Sequence, residues 1–197
     1  VACLLSPIYS GGSVVLLRGG FDIVKFFVNL EKLHPTWYSA VPTMHQSIVN
    51  RIIAKYNGKI EHRLRFIRSS SSALPKKVHT DLVTLFNVPV YQAYGMTEAC
   101  HQIATQISGQ DSNVGSVGFG INVEVVIRDE VGNNLPENHE GLVWIKGENL
   151  FTNYVGLSRE ASGFSHDGYF NTGDIGYLDK LGVLTIVSRL KEIINKG

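Results

Sequence analysis

The hydrophobic positions of this chain change their period partway along it. In the first hundred residues, short apolar runs alternate with segments whose apolar side chains recur every three to four residues. SVVLL at 13–17, after a Gly-Gly turn, reads as a strand. Over 21–34, Phe21, Val24, Phe27 and Val28 fall at helical spacing. WYSAV at 37–41 predicts the next strand. Pro42 then opens a helix with Met44, Ile48 and Ile52 on one stripe, since the fixed φ of proline suits a first helical turn. LRFIR at 64–68 is another strand, Pro75 starts a helix bearing Val78, Leu82 and Leu85, and 88–94 returns as a strand. Alternation of this kind predicts a mostly parallel sheet with covering helices.

After about residue 108 the pattern shortens. SGQDSNVGSVGFG is rich in Gly and Ser, and the remainder offers short strands at 122–128, 142–146, 168–172 and 183–187. DEVGNNLPENHEG and DKLG have the composition of hairpin connections. The expected architecture is α/β, with a mostly parallel sheet subdomain over 1–108 followed by a β-rich, barrel-like subdomain over 109–190.

Composition alters this picture little. The chain of 197 residues is long enough to bury a real core, and 44% hydrophobic with 18% charged residues is ordinary for a globular protein. A net charge of +1 with no dense basic run argues against a nucleic-acid or membrane-surface partner. Cys3 and Cys100 have neither CxxC spacing nor a nearby histidine pair. They suggest no disulfide framework and no zinc site, and fit a reducing compartment. The most apolar stretch, Val1 to Leu17, is interrupted by Ser6, Pro7, Ser10, Gly11 and Gly12, so it is not read as a membrane span. No signal peptide is visible. The chain opens without Met and ends at Lys196-Gly197, and the expectation is a piece of something longer.

The chemistry clusters in four places. In VYQAYGMTEACHQIA (90–104) a strand breaks at Gly95 and at once presents tyrosine, threonine, glutamate and histidine. This is either a turn in which Thr97 caps a helix and Glu98 sits in its first turn, or a site at the C-terminal end of a strand, where open α/β sheets place their ligands. RSSSSALP (68–75) puts small hydroxyl residues before a Pro-started helix, leaving room and backbone N–H groups for a ligand; equally, one serine could cap the helix. Asp174, between Thr172-Gly173 and an apolar strand, could accept two hydrogen bonds from a vicinal diol, with Arg189 donating to the same diol or to a phosphate. The plainer alternative is a hairpin turn and a surface ion pair. Of seven histidines, His45 and His101 each follow a strand end and could face one crevice. GxxxxGK[ST], GxSxG and HExxH are absent, and GSVGFG at 115–120 leads into a strand, so it reads as a turn between lobes.

These segments, in this order, resemble the adenylate-forming superfamily of acyl-CoA synthetases, luciferases and peptide-synthetase adenylation domains. YQAYGMTEA is similar to its YGxTE core, RSSSSALP to its adenine-side loop, and GLVWIKGENLFTNYVG to its GEhxhxGxxhxxGY segment. YFNTGDIGYLDKLGVL is similar to its TGD motif and SRLKEIINKG to its hinge. The resemblance covers essentially the whole chain and implies that it is part of an acyl-CoA synthetase N-terminal domain, with 191–197 leading toward a further C-terminal domain. It implies an AMP-forming acid–CoA ligase, in which a carboxylate attacks the α-phosphate of ATP to give acyl-AMP and pyrophosphate, and coenzyme A then takes the acyl group. Two other readings stay open: an adenylation domain loading a carrier-protein thiol, or an inert nucleotide-binding fragment.

Carried over by position, Tyr94 stacks on adenine, Thr97 contacts the α-phosphate, Glu98 holds Mg²⁺, and Asp174 with Arg189 holds the ribose. Ser71, Ser72, Ala73, Gly95 and Met96 complete the nucleotide set, and Lys191 is the hinge position. Within the superfamily, AVPTMHQ and MTEACHQ look most like the branch with oxalate–CoA ligases and peroxisomal-type CoA synthetases. In that reading His101, Ser71 and His45 face the acyl pocket and suit a short dicarboxylate; His101 could equally be a helix-face residue bonded to backbone. The implied cofactors and partners are ATP, Mg²⁺, coenzyme A and a small carboxylic acid, in the cytoplasm, or a peroxisome in a eukaryote. Two departures stand out: the family's Gly/Ser/Thr-rich phosphate loop is not found here, and Ser188 stands where many members have Gly or Asp.

Overall fold

Three of the alternating apolar runs become parallel strands. In the computed structural model, which describes residues 2–56, 60–107 and 114–190, β1 (Trp37–Ala40) pairs with β2 (Phe66–Ser69), and β2 with β3 (Val90–Tyr94). The register sets Trp37 beside Phe66 and Ile67 beside Val90. Internal contacts divide the chain into two units, one up to Ala93 and one from Tyr94 onward.

In the first unit, α2 (Ile23–Leu33) starts at Asp22, whose carboxylate accepts from the N–H groups of Val24 and Lys25 at 2.9 and 2.8 Å. Phe27 and Leu30 of α2 face the core, whereas Val24 and Val28 of the expected stripe are exposed. In α3 (Pro42–Lys55), Pro42 sits at the first position as expected, and His45, Ile48, Val49 and Ile52 are buried. In α4 (Lys76–Phe86), Val78, Leu82 and Phe86 are buried. The inward residues of β2 and β3, Ile67 and Val90, close this core against the three helices. On the other side of the strands, Trp37 stacks on Phe66 with ring centroids 5.3 Å apart and planes 17° from parallel.

The structure corrects the reading at the start of the chain. Residues 2–9 form α1 (Ala2–Tyr9) with Pro7 inside it, and 13–17 form no strand. A strand exists through its ladder, and among the described residues none pairs with 13–17. Pro7 disguised the helix, because a proline inside a helix forfeits one backbone bond and reads as a breaker.

The second unit is β-rich, as expected. A short antiparallel pair, β4 (Ala104–Thr105) and β5 (Phe119–Gly120), precedes a four-stranded antiparallel sheet in the order β6 (Val123–Arg128), β7 (Gly141–Gly147), β8 (Phe170–Leu178) and β9 (Leu184–Arg189). Both expected hairpin connections are observed, between β6 and β7 and between β8 and β9. The core combines Val143, Ile145 and Leu184 with Phe164 and Phe170, whose rings lie 5.1 Å apart. Arg128 is 7% exposed and fully engaged: it forms paired bonds to Asp167 at 2.6 and 3.3 Å and lies over the rings of Trp144 and Tyr169. Asp167 is held well below the usual carboxylate range by this guanidinium.

Candidate functional site

The turn after β3 is built around Gly95. A Cβ there would lie 2.1 Å from the carbonyl oxygen of His101, so only glycine lets the chain fold back over itself. Met96 is extended, Thr97–Ala99 make a single 3-10 turn, and Cys100 and His101 both take left-handed backbone, at φ 49° and 75°. The Met96 carbonyl accepts from the N–H of Ala99 and of His101, and the Ile103 N–H then donates back to Tyr94 at 2.9 Å. The helix expected from Thr97 onward is this one tight turn, and Met96, not Thr97, is its cap residue. The reason is the reversal itself: two successive left-handed residues end the turn before an α-helix can propagate.

The result is a compact projection with Thr97 exposed and Glu98 half-buried. A second segment pins it. Asn149 Nδ2 donates to the carbonyls of Ala99 and Gln102 at 3.1 and 2.9 Å, and the Phe151 N–H donates to the Glu98 carbonyl at 2.8 Å. Tyr154 Oη donates to Glu98 Oε1 at 2.6 Å, and this bond raises the tyrosine's pKa above its ordinary value. Asn149 and Tyr154 lie in a segment that the sequence marked as a motif without giving either residue a role.

Asp174 lies inside β8, not in a turn beyond it, so the hairpin-turn alternative does not hold. Leu142 pairs with Ile175 and Trp144 with Asn171, which leaves residues 172–174 opposite Val143 alone. This bulge is made possible by Gly173 at φ 72°, and bulges re-aim side chains next to functional sites. Thr172 Oγ1 donates to the Val143 carbonyl and accepts from the Asp174 N–H, fixing the bulge from within.

The Asp174 side chain consequently faces inward, 8% exposed as a residue, where a carboxylate is stable only if paired. It accepts a short hydrogen bond from Tyr94 Oη, and Arg189 Nε stands 3.3 Å from its other oxygen. Arg189 is directly opposite Asp174 in the β8–β9 ladder, so register alone delivers this ion pair. Burial, and then the neighbouring negative charge, push the Tyr94 hydroxyl's pKa up, so it stays protonated as the donor. Tyr94, Asp174 and Arg189 are thus brought together.

Other expected residues lie in the first unit. Ser71, Ser72 and Ala73 are exposed after β2, with Ser71 at a left-handed φ of 78°, a conformation costly for a non-glycine residue. The loop end is fixed by the Leu74 N–H donating to Gln92 Oε1 at 3.2 Å. Arg68 Nη1 donates to Ser39 and Ser70 hydroxyls at 3.2 and 3.0 Å. His45 is wholly buried in α3, with Nδ1 3.4 Å from Tyr38 Oη. Burial lowers its pKa to about 4, although the carbonyls of Arg68 and Ala40 pull partly the other way. The imidazole is therefore neutral at pH 7. Lys191 lies outside the described residues. A cavity of about 590 Å³ in this unit is lined by apolar residues including Phe26, Leu30, Trp37 and Met44, and none of the expected site residues lines it.

Among the described residues no three His, Cys, Asp or Glu side chains converge on a cation position. No described helix is long and apolar enough to cross a membrane.

Over its whole length the chain is 38% identical to an oxalate–CoA ligase of Arabidopsis thaliana, of which it covers 39%. The structure of MatB from Rhodopseudomonas palustris with bound ATP superposes on 95% of the chain with a TM-score of 0.83 and 28% identity, and 37% of that chain is covered. O-succinylbenzoate coenzyme A synthetase (MenE) from Bacillus subtilis, in complex with ATP and magnesium ion, matches all of it at the same TM-score and 26% identity, with 40% of that chain covered. The sequence thus spans about two-fifths of the length of these proteins. The model of the family described as AMP-binding enzyme matches residues 1–155, and the chain belongs to that family.

Proposed function

We propose that the protein containing this chain is an AMP-forming acid–CoA ligase. The observation that supports it best is the inward carboxylate of Asp174, aimed by the TGD bulge and held by Tyr94 and Arg189. In this reading the Asp174 carboxylate accepts hydrogen bonds from the two ribose hydroxyls and the Tyr94 ring lies against adenine. Thr97, exposed on its tight turn, donates to the α-phosphate. Ser71, Ser72, Ala73, Gly95 and Met96 contribute the remaining nucleotide contacts, and Lys191 is the hinge about which a C-terminal domain turns between half-reactions.

Glu98 is the position for Mg²⁺. A single carboxylate suits this ion, which keeps waters and phosphate oxygens as its other ligands and needs no all-protein cage. Bound there with ATP, Mg²⁺ would offset negative charge on the phosphates. The chain's own contribution is orientation and charge placement: the acid's oxygen attacks the α-phosphorus, pyrophosphate leaves, and the thiol of coenzyme A then displaces AMP from the acyl group.

A short dicarboxylate such as oxalate is the substrate class, supported by the 38% identity to the Arabidopsis oxalate–CoA ligase. His101 and Ser71 face the acid in this reading; His45 belongs to the same set only as a neutral group. The test is pyrophosphate release by the complete gene product with oxalate, acetate, a medium-chain acid and an aromatic acid, each with and without coenzyme A. Oxalate should give the fastest coenzyme-A-dependent release. Absence of acid-dependent pyrophosphate from every acid would overturn the reading.

A further inference from the structure

Tyr154 reaches Glu98 across 56 positions of sequence, and its ring is anchored before it gets there. Its own N–H donates to Ser162 Oγ at 2.9 Å, and its ring lies 4.8 Å from that of Phe151. Phe151 in turn packs on Phe164 and Phe170, with centroids 5.4 and 5.2 Å away. The same segment grips the Glu98 turn by three main-chain carbonyls, those of Glu98, Ala99 and Gln102. A glutamate on a turn of three residues would otherwise be free to rotate about its side-chain bonds. Here one of its carboxylate oxygens is tied to a phenol that is itself fixed to the core of the unit.

We propose that Tyr154 is a positioning residue for Glu98, holding Oε1 so that the carboxylate presents its second oxygen to a divalent cation in one orientation. This rests on Glu98 being the cation's residue, as set out above. Partners that orient a ligating group from behind typically change metal affinity by about 10- to 100-fold when removed.

Tyr154→Phe removes the hydroxyl and keeps the ring against Phe151. In the complete gene product, the free Mg²⁺ needed for half-maximal ATP binding, read by calorimetry with no acid present, should rise about tenfold or more. ATP affinity at saturating Mg²⁺ and the melting temperature should match the parent protein. Glu98→Gln should give a shift at least as large, and adding Tyr154→Phe to it should change nothing further. If Glu98→Gln shifts the Mg²⁺ requirement and Tyr154→Phe only lowers the melting temperature or does nothing, the positioning role is overturned. If neither variant shifts it, Glu98 is not the cation's residue, and that part of the proposed function fails together with the role of Tyr154.

Discussion

Acidification should weaken the first unit through His45, with His79 acting in the same direction. The imidazole is wholly buried and neutral, with a folded pKa of about 4 against an ordinary 6.5. Between those two values the unfolded chain binds a proton that the folded chain refuses, so stability rises with pH across that window. The contribution is complete above about pH 6.5 and is lost as pH falls toward 4. The full gap corresponds to about 3 kcal/mol, at about 1.4 kcal/mol per pH unit. Between about pH 7.5 and about pH 5, His45 should account for about 2 kcal/mol of lost stability. Urea unfolding of the complete gene product at both pH values, beside His45→Leu, isolates that share. Leucine has similar bulk and cannot titrate, so the variant should lose about 2 kcal/mol less on acidification. Equal losses in the two proteins would refute the reasoning and mean that His45 is solvated or charged in the native state. The same neutrality bears on recognition: a positive charge offered to a dicarboxylate at pH 7 must come from another residue.

Asp174→Ala should weaken ATP binding by roughly 10- to 100-fold, the usual worth of hydrogen bonds to a charged group, in a competition assay with a fluorescent nucleotide. Unchanged affinity would remove Asp174 from the nucleotide site. Gly95→Ala drives a methyl group to 2.1 Å from the His101 carbonyl oxygen, and should cost on the order of 3 kcal/mol in urea unfolding. A midpoint equal to the parent's would mean that the turn relaxes freely.

What could be read from the sequence was what depends on local period and on residues with fixed backbone habits. Pro42 and the Ile48/Ile52 stripe announced α3, and the spacing of Val78 and Leu82 announced α4. The segment 13–17 misled because a strand's existence depends on a partner that its own residues do not encode. β8 runs for nine residues where the apolar pattern suggested five, since Gly173, Asp174 and Gly176 break the apolar run while the strand continues through bulges at those positions. At the site, the pairing of Asp174 with Arg189 follows from register once the β8–β9 hairpin is known. The contacts from Tyr94 to Asp174 and from Tyr154 to Glu98 bridge 80 and 56 positions, and no local pattern announces them. The first pair was expected only as separate roles implied by resemblance, and the second was not anticipated.

The chain has two tryptophans, and the fold gives one to each unit in unlike surroundings. Trp37 lies flat against Phe66, whereas Trp144 has the Arg128 guanidinium 5.3 Å from its ring centre. Intrinsic fluorescence is therefore already partitioned. With Trp37→Phe, the remaining emission follows only the second unit, through an indole whose excited state feels a cation that unfolding would withdraw. With Trp144→Phe, it follows only the first, through an indole shielded by a stacked ring. A denaturant ramp on this chain's two single-tryptophan variants would reveal which unit lets go first, without any added dye.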